Sequence, residues 1–106
     1  MKEKTLTRIR KFTEDRNWDQ FHSPANLAKS ISIEASELLE CFQWDEENFD
    51  LQHVKEELAD VINYCIQMAS KLDLDIHEIV LEKLEKTKKK YPVSKAKGVS
   101  TKYNKL

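Results

Sequence analysis

The stretch Ile33-Glu34-Ala35-Ser36-Glu37-Leu38 sets two carboxylates three residues apart among apolar positions. Glu56-Glu57-Leu58-Ala59-Asp60-Val61 repeats the arrangement further along the chain. A helix turns by about 100° per residue. With Glu34 at zero, Ile31, Ala35, Leu38, Leu39 and Phe42 share an arc at about 40–140°, and Glu37 lies about 60° to the other side. With Glu57 at zero, Val61, Ile62, Cys65, Ala69 and Leu72 cover the same arc, and Asp60 takes the place of Glu37. Each helix therefore has an apolar stripe with an acidic pair on its shoulder. Two such helices joined by a turn predict an antiparallel helical hairpin, and the fold class all-α.

Register sharpens the pairing. Residues equidistant from the turn of an antiparallel hairpin lie opposite each other. Glu37 and Glu57 are each ten residues from Glu47, and Glu34 and Asp60 are each thirteen. Four carboxylates are thus expected in one layer, where they repel unless a cation joins them. Hard oxygen ligands favour Mg²⁺, with Mn²⁺ as the other candidate. The bland alternative is a pair of solvated acidic shoulders neutralised by Lys29 or Lys55. Di-iron and di-manganese bundles use Glu-x-x-His motifs, and His22, His53 and His77 do not follow an acid at that spacing on these faces. His53 lies on the acidic face near the start of its helix and is assigned no role.

Spacing alone selects little, because Glu37/Glu40, Glu47/Asp50, Asp75/Glu78 and Glu82/Glu85 share it. Glu40 and Glu56 point further outward by phase. Glu82/Glu85 is followed by Lys83 and Lys86, and Asp75/Glu78 is explained as a helix-capping box.

Composition agrees with helices. One Gly and two Pro in 106 residues leave little turn chemistry for hairpins of strands. The length predicts a single all-α domain over residues 1–92, followed by a basic tail over 93–106, extended or loosely ordered. No apolar run reaches the ~18 residues of a membrane span. The start Met1-Lys2-Glu3-Lys4 lacks a signal-peptide core. Cys41 and Cys65 fit buried thiols in a reducing compartment. A cytoplasmic protein without a membrane partner is expected. Charge is uneven: residues 83–106 carry nine Lys and one acid, so that segment is +8 and the remainder −9. Such a basic end suits a polyanion clamp, or a nucleic-acid tail on a non-enzymatic helical module.

In chain order, Leu6, Ile9 and Phe12 predict a first helix over 3–17. Ser23-Pro24 starts a second that runs to about Phe42. Trp44 and the run 45–50 make the turn, and the third helix covers about 51–72. Asp75 caps a fourth, which Tyr91-Pro92 ends after about Lys90.

Glu34-x-x-Glu37 followed by Glu57-x-x-Asp60 resembles the metal signature of the MazG-like, all-α nucleoside triphosphate pyrophosphohydrolases. The segment Arg16 to Leu27 resembles the one before the first acidic pair in dCTP pyrophosphatases. Phe42-Gln43-Trp44 follows that pair as it does in those enzymes, and Tyr64 matches a tyrosine one turn after the Asp. Lys90-Tyr91-Pro92 and Ser100-Thr101-Lys102-Tyr103 are similar to their C-terminal end.

The resemblance implies a four-helix bundle completed by oligomerisation into a homodimer or homotetramer. It also implies Mg²⁺-dependent conversion of a nucleoside triphosphate, of dCTP-like pyrimidine type, to the monophosphate and pyrophosphate for nucleotide-pool clearance. No nucleic-acid partner is expected on this reading. Glu34, Glu37, Glu57 and Asp60 are the expected metal ligands, with Glu37 also acting on the attacking water. Trp18, His22, Asn26, Trp44 and Tyr64 are candidates for the nucleoside end. Lys83, Lys86 and Lys90 share a helix face and are candidates for the phosphates. At Thr87 the chain departs from relatives that carry Asn, and its Lys-rich run replaces bidentate Arg with point charges.

Overall fold

A computed structural model of the chain describes residues 3–106. Its regular structure is helical throughout: α1 (Glu3–Asp15), α2 (Pro24–Glu40), α3 (Leu51–Lys71), α4 (Ile76–Lys90) and the single turn α5 (Val93–Ala96). Short 3-10 turns occur at Asp19–Phe21 and Tyr103–Lys105. The chain divides into two compact units, one ending at Leu74 and the other spanning Asp75–Leu106.

In the first unit α2 and α3 pack along each other as the hairpin, and α1 lies against α3. Leu27 of α2 and Ile66 and Ala69 of α3 are buried, as is Thr13 of α1. Full burial of a side chain such as Leu27 contributes about 1.5–3 kcal/mol, so this small core leans heavily on few residues. Leu6 and Ile9 turn inward as the sequence predicts, but Thr13 rather than Phe12 completes the stripe. Positions 6, 9 and 13 lie more nearly in line than 6, 9 and 12. The Thr13 hydroxyl is satisfied by donating to the Ile9 carbonyl at 3.1 Å. Phe12 stays outside, with the Arg16 guanidinium 3.7 Å above its ring and Trp18 edge-on at 5.6 Å.

The helices stop slightly earlier than the periodicity predicts, at Asp15, Glu40 and Lys71. In a chain with one Gly, left-handed residues at Asn17 (φ 53°) and Asp73 (φ 54°) terminate α1 and α3. Asn and Asp tolerate that region better than other L-residues. At both ends two tightening bonds satisfy the last carbonyls: Trp18 N–H to Thr13 and Asn17 N–H to Glu14, then Leu74 N–H to Ala69 and Asp73 N–H to Ser70.

Helix starts follow the sequence. Ser23 accepts from the Asn26 N–H ahead of Pro24. Asp50 accepts from the N–H groups of Gln52 and His53, and Asp75 from those of His77 and Glu78. The turn between α2 and α3 is held by Asp45, which accepts from the N–H groups of Glu47 and Asn48. These donors keep its carboxyl below the usual range. Across the turn, the Phe42 and Phe49 rings meet at 4.9 Å.

In the second unit, α4 ends at Tyr91. The Tyr91 and Tyr103 rings meet at 6.1 Å, and the Lys90 ammonium sits 4.6 Å from the Tyr103 centroid. The last segment, 93–106, thus folds back onto the end of α4 through two short helical turns and one aromatic contact.

Candidate metal centre

The seam of the hairpin runs through the acids rather than beside them. On α2 the half-buried positions include Ser30, Ile31, Glu34, Glu37 and Leu38, continued by Cys41 and Phe42 just past its end, whereas Ala35 and Leu39 on the far side of the apolar arc are exposed. On α3, Val54, Glu57 and Val61 are half-buried, and Leu58 and Ile62 are exposed. Both helices therefore turn their first acid toward the partner helix.

One carboxylate oxygen from each of Glu34, Glu37 and Glu57 lies within 4.8 Å of the others. Glu34 Oε2 and Glu57 Oε2 are buried without a hydrogen-bond partner among the described residues. Asp60 is exposed and stands outside this group of three. Its charge still acts on Glu34 and Glu57.

The electrostatics follow from that crowding. Glu34 is pushed up from 4.5 to about 7. The largest cause is a proton held in a hydrogen bond with Glu37, followed by burial and by the charges of Glu37, Asp60 and Glu57. Glu57 is also raised, first by burial and then by its hydrogen bond with Glu37, while His53 opposes the rise. Its carboxylate lies 3.3 Å from the His53 ring nitrogen Nε2. Burial raises the Cys41 thiol, and the charge on Glu57 adds to it. Cys41 and Cys65 are free and half-buried.

Buried carboxylate oxygens lacking donors, drawn from two helices, fit a hard divalent cation. Such an ion uses oxygen ligands and removes the repulsion that lifts these values.

The other sequence-selected residues are more dispersed. His22 is half-buried in the wall of a cavity of about 420 Å³, floored by Leu6, Ile9, Leu27 and Ile66 between α1, α2 and α3. Trp18 is exposed beside Phe12. The Asn26 amide donates to the Phe21 carbonyl at 3.0 Å, which closes the 3-10 turn onto α2. Tyr64 is half-buried on α3, whereas Trp44 in the turn is 89% exposed. Lys83, Lys86 and Lys90 are exposed on α4 of the second unit.

Sequence reasoning missed two features of the first unit. Lys71 pairs with Asp19 at 3.2 Å and Arg10 donates to Ser70 at 3.2 Å; both link segments far apart in the chain and leave no local signal. The His53–Glu57 pair was visible as an i, i+4 spacing.

The MazG-like family model matches residues 29–106, which include both acidic pairs. The chain belongs to the MazG-like family. This MazG-like chain is 35% identical to dCTP pyrophosphatase 1 of Bos taurus and 32% identical to that of Mus musculus. Each match covers 98% of this chain and 69% of the relative. A crystal structure of a pyrophosphatase from Archaeoglobus fulgidus superposes with a TM-score of 0.76 at 38% identity, covering 85% of this chain and 91% of that one. The all-α architecture is thus shared with a solved pyrophosphatase. Among the described residues, no helix is long and apolar enough to cross a membrane.

Proposed function

We propose that the chain is a divalent-cation-dependent nucleoside triphosphate pyrophosphohydrolase. The observation that carries this reading is the convergence of Glu34, Glu37 and Glu57 with two buried, unpartnered oxygens. The similarity to dCTP pyrophosphatases supports the substrate class and the released product.

Glu34, Glu37, Glu57 and Asp60 hold Mg²⁺, or Mn²⁺ in its place. When bound, the cation neutralises phosphate charge and makes water a better nucleophile. Glu37 orients the water and takes its proton. The oxygen attacks the α-phosphorus, the bond from that phosphorus to the bridging oxygen breaks, and pyrophosphate leaves from the nucleoside monophosphate. Lys83, Lys86 and Lys90 steady the phosphates as point charges.

The nucleoside end goes toward Trp18, His22, Asn26, Trp44 and Tyr64. The cavity walled by His22 supports this placement, because its volume suits a small ligand. A dCTP-like pyrimidine is the preferred substrate, and the activity clears the nucleotide pool of the cytoplasm.

The active form is a homodimer or homotetramer. Leu39, Leu58 and Ile62 are 70%, 45% and 41% exposed. By helical phase they fall on one side of the hairpin, opposite Glu37 and Asp60. Apolar surface of this kind is covered in stable assemblies.

The decisive experiment is a panel of ribo- and deoxynucleoside triphosphates with Mg²⁺, scored for pyrophosphate and orthophosphate separately. Pyrophosphate release, greatest with dCTP, is expected. No pyrophosphate from any nucleotide overturns the reading, and orthophosphate alone moves the attack to the γ-phosphorus.

A further inference from the structure

One acid of the cluster lies beside a basic side chain of its own helix. His53 Nε2 lies 3.3 Å from Glu57 Oε1, while Glu57 Oε2 is buried and unpartnered. The two oxygens of one carboxylate therefore have different surroundings: one lies beside an imidazole and the other is buried without a partner. His53 is itself held in place, since its backbone N–H is donated to the Asp50 side chain that caps α3.

Helical phase puts His53, Glu57, Asp60 and Tyr64 on one stripe of α3, spaced i, i+4, i+7 and i+11. His53 thus stands in line with the acids, at their turn-proximal end. It is about half exposed, so its own burial contributes little to the fold.

We propose that His53 is a positioning residue that fixes the Glu57 carboxylate for the cation. A ligating carboxylate free to rotate must lose that freedom when the ion binds. An imidazole already beside one oxygen removes part of that cost and leaves the other oxygen available to the metal. Partners of this kind typically change metal affinity by about 10–100-fold when removed. This inference rests on the acids being a metal centre, but not on which nucleotide is hydrolysed.

The test is Mn²⁺ binding to the full chain without nucleotide, read from the loss of the free-ion paramagnetic resonance signal. Wild type, His53→Ala and His53→Gln are compared, with helix content checked by circular dichroism. His53→Ala is expected to bind Mn²⁺ about tenfold more weakly. His53→Gln keeps an N–H donor on a side chain of similar reach and is expected to stay near wild type. Wild-type affinity in His53→Ala overturns the proposal, because the pair is then only a solvated surface contact. Equal loss in both variants also overturns it, since the imidazole is then a ligand itself. If wild type takes up no Mn²⁺, the metal centre fails together with the proposal; this outcome is distinct because it appears before any substitution is made.

Discussion

Carboxylate oxygens of Glu34 on α2 and Glu57 on α3 lie within 4.8 Å of each other, and each residue keeps a buried oxygen without a donor. Packing like charges at a helix seam costs stability unless a proton or a cation intervenes. The pair therefore marks a place where the metal-free fold gives up stability. Glu57→Gln is expected to leave helix content intact and to hold or raise the melting temperature of the metal-free chain. It should also abolish the Mg²⁺-induced rise in melting temperature and cut pyrophosphate release by about 10²-fold or more. Thermal melts with and without Mg²⁺, alongside the product assay, check both parts.

The pH dependence of the metal-free chain follows from Glu34. Its value is raised from 4.5 to about 7, so the fold favours the protonated form. That contribution to stability is complete below pH 4.5 and is lost as pH rises through about 7. Glu57 is raised too and acts in the same direction. With chelator present, the melting temperature is expected to fall across this window, and Glu34→Gln should flatten the fall. A divalent ion favours the ionised carboxylates, so binding should release protons and weaken as pH drops below about 7. Melts over a pH series, with and without Mg²⁺, measure both trends.

Leu27 is 1% exposed in a core with few fully buried side chains. Leu27→Ala removes that packing and leaves a cavity, so a loss of about 2–5 kcal/mol is expected. Urea unfolding should show a lower midpoint with an unchanged slope. Because Leu27 also floors the cavity beside His22, a compensating shift of α1 would appear as weaker nucleotide binding.

The exposed apolar side of the hairpin gives a prediction on assembly. Leu39→Lys or Ile62→Lys places a charge on the exposed apolar surface that the proposed homo-oligomer would cover. Light scattering is expected to show the assembly dissociating, with helix content retained because neither side chain is buried within the single chain. An unchanged mass in both variants would move the interface elsewhere.

Lys71 and Asp19 are partly exposed and pair at 3.2 Å. Pairs of this kind contribute up to about 1 kcal/mol. Lys71→Met should therefore change the urea midpoint only slightly, far less than Leu27→Ala.

Much of this was legible in the residues themselves. Helical period located α2 and α3, and the start residues Ser23, Asp50 and Asp75 cap their helices because each side-chain oxygen meets a local N–H. Equal distance from Glu47 paired Glu37 with Glu57, because an antiparallel hairpin has only one register per turn length. Phase also set Glu40 and Glu56 outside, where they are exposed.

Other features required three dimensions. Hydrophobicity favoured Phe12 over Thr13, although helical phase sets Thr13 closer in line with Leu6 and Ile9, and it is Thr13 that is buried. Nor could it foresee that Asn17 and Asp73 would end their helices in the left-handed region. The rotation of the hairpin was likewise a tertiary matter. The apolar arc argued for acids on a shoulder, but helix packing turned Glu34 and Glu57 into the seam and left Leu39 and Ile62 outside. A sequence fixes the angles between side chains on one helix. Which angle faces the neighbouring helix depends on how both surfaces interlock, and that rotation brought three carboxylates together.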